Sequence, residues 1–417
     1  MRIFIAILLF AAAIGAQQGS VRVEPYYPVS EKEAAKVVAK VLKVSPVIDG
    51  HNDLFIHFFA CKECPRDFTK YRIDVENSGH TDIPRWRKGG VGATLLNIER
   101  DDTLDKFLSA YDIAYRMQTA YPKDLKVVKT STEMRQAMRD GRIALLPIME
   151  NSVGLENSMY LLRSFYQLGL RGVTLAYKTN DLADGSDDKP KHNGVSAFGR
   201  EMIREMNRLG VIVDISHVSA KAMSDALETS LSPVIFSHSN SRRLCDINRN
   251  VPDDVLLKLK ANGGMIMLTM VPEFTTNPFA KWMVAGDEYY YGLQAKYSND
   301  KKLVKADMDI WEKANPFPPV TIGDIAEHFD HVKKLIGVDH IGIGGDYDGI
   351  SYTIKGMEDV SKYPSLLTEL AHRGWTEKEL RKVTGENLLR VFAAIETKAT
   401  QLQTTMQPSN ATLTVKK

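Results

Sequence analysis

The chain has 417 residues, 44% of them hydrophobic, and its 54 basic and 52 acidic residues leave a formal charge of +2. That balance, with no long basic run, excludes the electrostatic footprint of a nucleic-acid binder. The length supports a large core and suits either two or three domains or one α/β-barrel.

Met1 and Arg2 precede an apolar run over 3–14 that ends at Gly15 and Ala16. The run is shorter than the ~20 apolar residues that span a bilayer. A secretory signal peptide over 1–16, cleaved near Ala16, and a secreted, extracellular protein are therefore expected. Residues 17–43 read as a lead-in, extended to residue 30 and helical over 31–42, where Ala, Val and Leu recur at helical spacing. The three cysteines are Cys61, Cys64 and Cys245. The close pair is open to a zinc half-site, a redox pair or a local disulfide. No second pair completes a four-ligand zinc site, and an oxidising compartment favours the disulfide. Cys245 is then unpaired, either buried or bridging to another chain.

From residue 44 the chain alternates short apolar runs with amphipathic stretches. The runs over 46–49, 93–98, 143–149, 172–176, 211–215, 234–236, 265–270 and 341–343 are almost continuously apolar, as parallel strands buried on both faces require. Helical spacing appears over 104–119, 131–139, 159–168, 197–209, 220–228, 253–260 and 322–335. Eight strands with intervening helices predict an α/β chain folded as a (β/α)8 TIM-like barrel, one catalytic domain over 44–395. The alternative, a doubly wound open sheet, usually carries a GxGxxG loop after its first strand, and here that loop reads DGHNDL. The seventh unit has about fifty residues over 271–321, rich in aromatics, and is expected to be a lid or an edge of the site. Residues 396–417 are polar and rich in Thr and Gln, and a disordered tail is expected there. Asn410, in Asn-Ala-Thr, is a candidate glycosylation acceptor, with no apolar stretch after it to signal a glycolipid anchor.

Ligand-capable residues stand at the ends of these strands. His51 and Asp53 follow the first, Glu150 the third, His217 the fifth, His238 the sixth and Asp346 the eighth. Alternation along an extended segment turns 51 and 53 the same way, and on a barrel all such ends converge on one mouth. Any one of these residues alone reads as a cap or a packed polar group; six together do not. Six further histidines, His57, His80, His192, His328, His331 and His372, lack this placement and are expected to be surface or structural. Imidazoles and carboxylates without thiolates suit zinc in an incompletely filled shell. Two His-containing half-sites sharing Glu150 suggest two zinc ions bridged by that carboxylate and a hydroxide shared between them, chemistry that hydrolyses an amide or ester.

The motifs DGHNDL at 49–54, SHS at 237–239, RNVPDDVL at 249–256, GGDYDG at 344–349, EDVSKYP at 358–364 and ENLLRVF at 386–392 resemble the membrane (renal) dipeptidase family, over about 44–394. The resemblance implies a zinc dipeptidase on an amidohydrolase-like barrel, acting on dipeptides. It implies that His51 and Asp53 bind one zinc, His217 and His238 the other, and Glu150 both. It also implies that Arg249 takes the dipeptide's terminal carboxylate, a task that suits a guanidinium fork. Asp346 would then pass the proton of the attacking water to the leaving amine. A homodimer is implied as well. One position departs from the family: where a histidine usually contacts the substrate carbonyl, this chain has Tyr177. An alternative is therefore a metal-loaded relative with weak or no activity that acts as a binding protein. A barrel amidohydrolase acting on a cyclic amide or phosphoester is a third reading, disfavoured because it more usually opens on His-x-His.

Overall fold

The computed structural model describes residues 27–60, 66–67, 69–98 and 104–413. The expected signal peptide and the Cys61–Cys64 pair lie outside them. The strands among the described residues are β1 (Val47–Asn52), β2 (Val91–Asn97), β3 (Leu125–Val127), β4 (Ile143–Met149), β5 (Gly172–Thr174), β6 (Ile212–Asp214), β7 (Ile235–Phe236), β8 (Met265–Thr269) and β9 (Ile341–Gly344). All pair in parallel, in the order β1-β2-β4-β5-β6-β7-β8-β9. Asp49 on β1 pairs with Ile343 on β9 and closes the ring. The result is the eight-stranded barrel expected from the sequence, and closure excludes the open doubly wound sheet. β3 was not foreseen. It adds to the first half of β4 outside the ring, and its three residues, with Lys126 half-buried at the centre, carry too little apolar pattern to announce a strand.

Every residue of the eight ring strands is buried, which is why their sequences read as unbroken apolar runs. Inside the ring, Ile48, Ala93, Leu95, Ala144, Leu146, Ile212, Ile235 and Met265 pack with Leu388, Leu389, Val391, Phe392 and Ile395 of the final helix, Asn387–Thr405. That helix plugs the end of the barrel where the strands begin. Asn387 anchors it by donating to the carbonyls of Val338 (2.7 Å) and Ile341 (2.9 Å). Function is left to the opposite end. Just below that mouth the bore is so narrow that a Cβ on Gly344 would lie 2.0 Å from the Ser237 carbonyl oxygen.

The lead-in helix, Glu31–Val44, opens on a capping box of Ser30 and Glu33 and buries Ala34, Val38 and Val41 against the helix Tyr363–His372. The long seventh unit is a helical hairpin, Asn277–Lys296 and Lys301–Ala314, pinned where Trp282 meets Trp311 at 5.5 Å between ring centroids. Its first residues form one edge of the site. The tail requires a correction, because the last helix continues to Thr405, past the expected boundary at residue 396. Ala399 and Leu402, three apart on one helical face, bury against the helix Ala197–Leu209 despite the polar residues around them. Beyond the helix, the Ser409 carbonyl accepts from Arg163 and its amide donates to Glu205. No helix among the described residues is long and apolar enough to cross a membrane.

If the final helix seals the barrel, Phe392→Ala should lower the unfolding free energy by about 3–5 kcal/mol, the cost of emptying a buried aromatic site. The shift in the chemical-denaturation midpoint measures it, and an unchanged midpoint would refute the sealing role.

Candidate active site

The first strand delivers two side chains to the mouth through an irregularity. Between Asp49 and Asn52, β1 advances one residue more than β2. The bulge resets the alternation. His51 and Asp53 then face inward, with His51 Nε2 3.4 Å from Asp53 Oδ2. Asn52 faces outward and donates to Thr81 Oγ1 at 2.9 Å. Asp49 also faces outward, accepting from the Gly345 amide (2.7 Å) and the Tyr363 hydroxyl (2.8 Å).

Glu150, just past β4, is the centre of the cluster. Its Oε1 lies 3.0 Å from His217 Nε2, 3.5 Å from His238 Nε2 and 3.7 Å from His51 Nε2. The two imidazoles after β6 and β7 approach to 2.7 Å between their Nε2 atoms. His51, Glu150 and His238 form one group with donor atoms close enough to hold an ion, and His51, Asp53 and Asp346 form another. The structure thus brings together all six strand-end residues expected from the sequence.

A second layer of residues, not anticipated from the sequence, holds the first. Asn97, at the end of β2, donates to both Asp53 Oδ1 and Glu150 Oε2 at 2.9 Å. Asp214, at the end of β6, accepts from Thr174 Oγ1 (2.5 Å) and Ser237 Oγ (2.6 Å). The Ser237 hydroxyl proton is thereby committed to Asp214, so its oxygen, 2.8 Å from His238 Nδ1, must accept from that nitrogen. His238 is left with its Nε2 lone pair facing Glu150 and His217. The signal for these residues was present: Asn97 and Asp214 are polar groups closing apolar runs, as Glu150 is.

The turn after β9 is held tightly. Asp346 (φ +60°) and Asp348 (φ +69°) adopt left-handed backbone, as does His217 (φ +65°), strain that functional sites commonly store. Asp348 accepts from His57 Nε2 (2.8 Å) and the His80 amide (2.6 Å), giving those two histidines the structural role expected of them. A Cβ on Gly349 would fall 2.2 Å from Asp53 Oδ2, so only glycine lets this turn close over the cluster.

Above the cluster opens a cavity of about 220 Å³. This is below the ~300–1,000 Å³ of sites for drug-sized molecules, so it suits a small ligand. Asp53, Glu150, His217 and Asp346 form part of its surface; Phe274, Phe279, Met283, Ile350 and Tyr352 form the apolar side. Tyr177 also lines it, 42% exposed, its ring 4.4 Å from that of His217. Arg249 does not reach the cavity surface. Its guanidinium is buried beside the Phe274 ring, 5.1 Å from the centroid, and donates to Ser239 Oγ and the His238 carbonyl, both at 2.6 Å. Its Nε has no partner. Cys245, left open by the sequence, is buried and unpaired, and its thiol donates to the Glu273 carbonyl.

Electrostatically the site has a surplus of carboxylate. Burial pushes His217 down to about 4 and His238 well below its usual value, so both are neutral, the form that ligates metal. Burial pushes His51 the same way, but Asp53 and Glu150 outweigh it and lift that imidazole to about 10. Glu150 is buried too, yet His51, His217 and His238 hold it well below the carboxylate range. Asp346 moves oppositely, raised strongly by burial and by Asp53 and Glu150.

Comparison with known proteins agrees with this arrangement. Residues 35–406 match the family model described as membrane dipeptidase, peptidase family M19. Dipeptidase tcpJ of Claviceps purpurea (strain 20.1) is 34% identical over 364 residues, covering 84% of this chain and 76% of that protein. Among solved structures, the probable dipeptidase PvdM from Pseudomonas aeruginosa matches with a TM-score of 0.76 at 22% identity, over 89% of this chain and 100% of that one. A metallo peptidase from Rhodobacter sphaeroides, liganded with a phosphinate mimic of the dipeptide L-Ala-D-Ala, matches with a TM-score of 0.69 at 21% identity, over 84% and 99%. At these identities the two structures speak for the fold, whereas the family match spans most of the chain: the protein belongs to the membrane dipeptidase family, peptidase family M19.

Proposed function

We propose that the chain is a secreted zinc dipeptidase with a binuclear centre held by His51, Asp53, Glu150, His217 and His238. The observation that carries this reading is the convergence of three imidazoles on one oxygen of Glu150, with carboxylates beside them and no thiolate among the described residues. The donor set fits the metal. His51 is buried and neither of its ring nitrogens is hydrogen-bonded, an expensive arrangement unless an ion accepts the lone pair. Asp53 and Glu150 lift His51 to about 10 against its burial, which marks a place where the carboxylates call for positive charge. Zinc bound there would supply a Lewis acid and water acidified toward neutral pH.

The protein residues supply the rest. Asn97 fixes Asp53 and Glu150 against each other, and Asp214 acting through Ser237 fixes the tautomer of His238. Asp346, raised and on the cavity surface, takes a proton from the attacking water and delivers it to the leaving amine. Arg249 provides positive charge for the substrate's terminal carboxylate, and Phe274 is the group that must yield for that contact to form. The phenol of Tyr177 serves the developing oxyanion in place of the family's histidine. Asn410 is exposed, as a glycosylated residue of a secreted protein must be.

Three measurements test this reading. Glu150→Gln should abolish paired zinc binding, reducing the metal content from two ions per chain to one or none; unchanged stoichiometry would remove Glu150 from the bridge. Ser237→Ala should weaken zinc affinity by about 10–100-fold in a chelator competition, as losing a residue that orients a ligand does, with circular dichroism unchanged. Unaltered affinity would disprove the tautomer argument. Tyr177→Phe should reduce kcat on an L–D dipeptide by about 10²-fold at constant zinc content, the cost of one oxyanion donor. If wild type, Tyr177→Phe and Tyr177→His are all inert while binding two zinc ions, the chain is a binding relative and the enzymatic reading fails.

A further inference from the structure

On the reading of this cavity as a dipeptide site, we propose that Glu273 sets the substrate class, selecting dipeptides that carry a cationic side chain. The wall away from the histidine cluster is formed by Val271, Pro272, Phe274, Phe279, Met283 and Ile350, with Glu273 as its acid. Its half-buried carboxylate has no hydrogen-bond donor or cation within bonding distance among the described residues, although partial burial disfavours leaving it so.

The residue is held in place by its backbone. The carbonyls of Glu273, Phe274 and Thr275, successive in the turn Pro272–Thr275, accept from Cys245 Sγ (3.4 Å), Asn250 Nδ2 (2.8 Å) and His328 Nε2 (2.9 Å). A pinned turn therefore presents the carboxylate to a ligand. Burial first, then Asp287 and Asp187, raise its pKa to about 7, with Arg249 opposing. A carboxylate in that condition gains most from a partner that brings positive charge. A lysine or arginine side chain has an aliphatic stem for the apolar wall and a cation for its acid. A neutral side chain leaves the carboxylate unpaired, and an acidic one repels it. Binding sites reject ligands most strongly when a buried polar group of the site is left unmatched.

The test compares Ala-Lys and Lys-Ala with Ala-Met and Met-Ala, neutral analogues of similar length, and with Ala-Glu. The zinc-loaded wild type should favour one of the lysine dipeptides over its methionine analogue by about 10–100-fold in kcat/KM. Glu273→Gln, of matched shape, should collapse that ratio at least tenfold, and Glu273→Lys should turn the preference toward Ala-Glu. A ratio near one in wild type, or one that survives in Glu273→Gln, overturns the inference. Calorimetric binding of the same dipeptides to zinc-loaded Asp346→Asn protein separates the two readings. A cation preference in binding without turnover by wild type refutes the dipeptidase and keeps the specificity; turnover without preference does the reverse.

Discussion

The site depends on one carboxylate oxygen. Oε1 of Glu150 has three imidazole nitrogens within 3.7 Å, drawn from the ends of β1, β6 and β7, while Oε2 is held by Asn97 from β2. A buried carboxylate is costly unless its lone pairs are satisfied. The fold meets that demand by aiming four strand ends at a single group. A parallel barrel makes this possible, because all its strands finish on one side and separate parts of the sequence contribute without long connections.

Geometry around that group is tight enough to restrict neighbouring residues. The bore narrows at Gly344, beside the Ser237 carbonyl, and the turn above it closes only because Gly349 lacks a side chain. Asp346 and Asp348 adopt backbone that disfavours a Cβ, and the bonds from His57 and His80 to Asp348 offset that strain. The left-handed His217 between β6 and the following helix is a comparable case. Left-handed His217, Asp346 and Asp348 stand at the mouth, whereas the plugged end is ordinary aliphatic packing. Stability and chemistry are therefore separated along the barrel axis.

Much of this was legible in the sequence. The eight ring strands were visible because burial on both faces makes their sequences almost continuously apolar, and the strand-end residues were visible because six ligand-capable side chains at six such positions do not read as separate caps. The unseen parts follow different rules. β3 is three residues long, and the seventh unit's helices expose Tyr291, Leu303 and Ile310 where an amphipathic pattern would place polar groups. In the tail, Ala399 and Leu402 bury a narrow stripe in a polar composition. Asn97, Asp214 and Ser237 act through other side chains, and no local spacing reports that. The family's motifs suggested Arg249 but could not show that it is buried beside the Phe274 ring rather than on the cavity surface.

The same environment that gathers the carboxylates also divides their roles. Glu150 is buried and Asp346 half-buried at the mouth, and desolvation raises both. Glu150 faces the charged His51 and a hydrogen bond from His217, and their attraction reverses the effect. For Asp346 burial prevails, because Asp53 and Glu150 add to it against the pull of His51 and Arg249. Two acids in one cavity are thereby driven apart, one toward the anion and the other toward the protonated acid, the kind of separation by which acid and base roles are assigned in hydrolytic sites. Glu273 belongs to neither class. It lies on the apolar wall, away from the imidazoles, and its partner has to arrive with the ligand. Placement relative to the histidine cluster, rather than residue type, thus decides which way each carboxylate is driven: Glu150 down beside the imidazoles, and Glu273, beside Asp287 and Asp187, up.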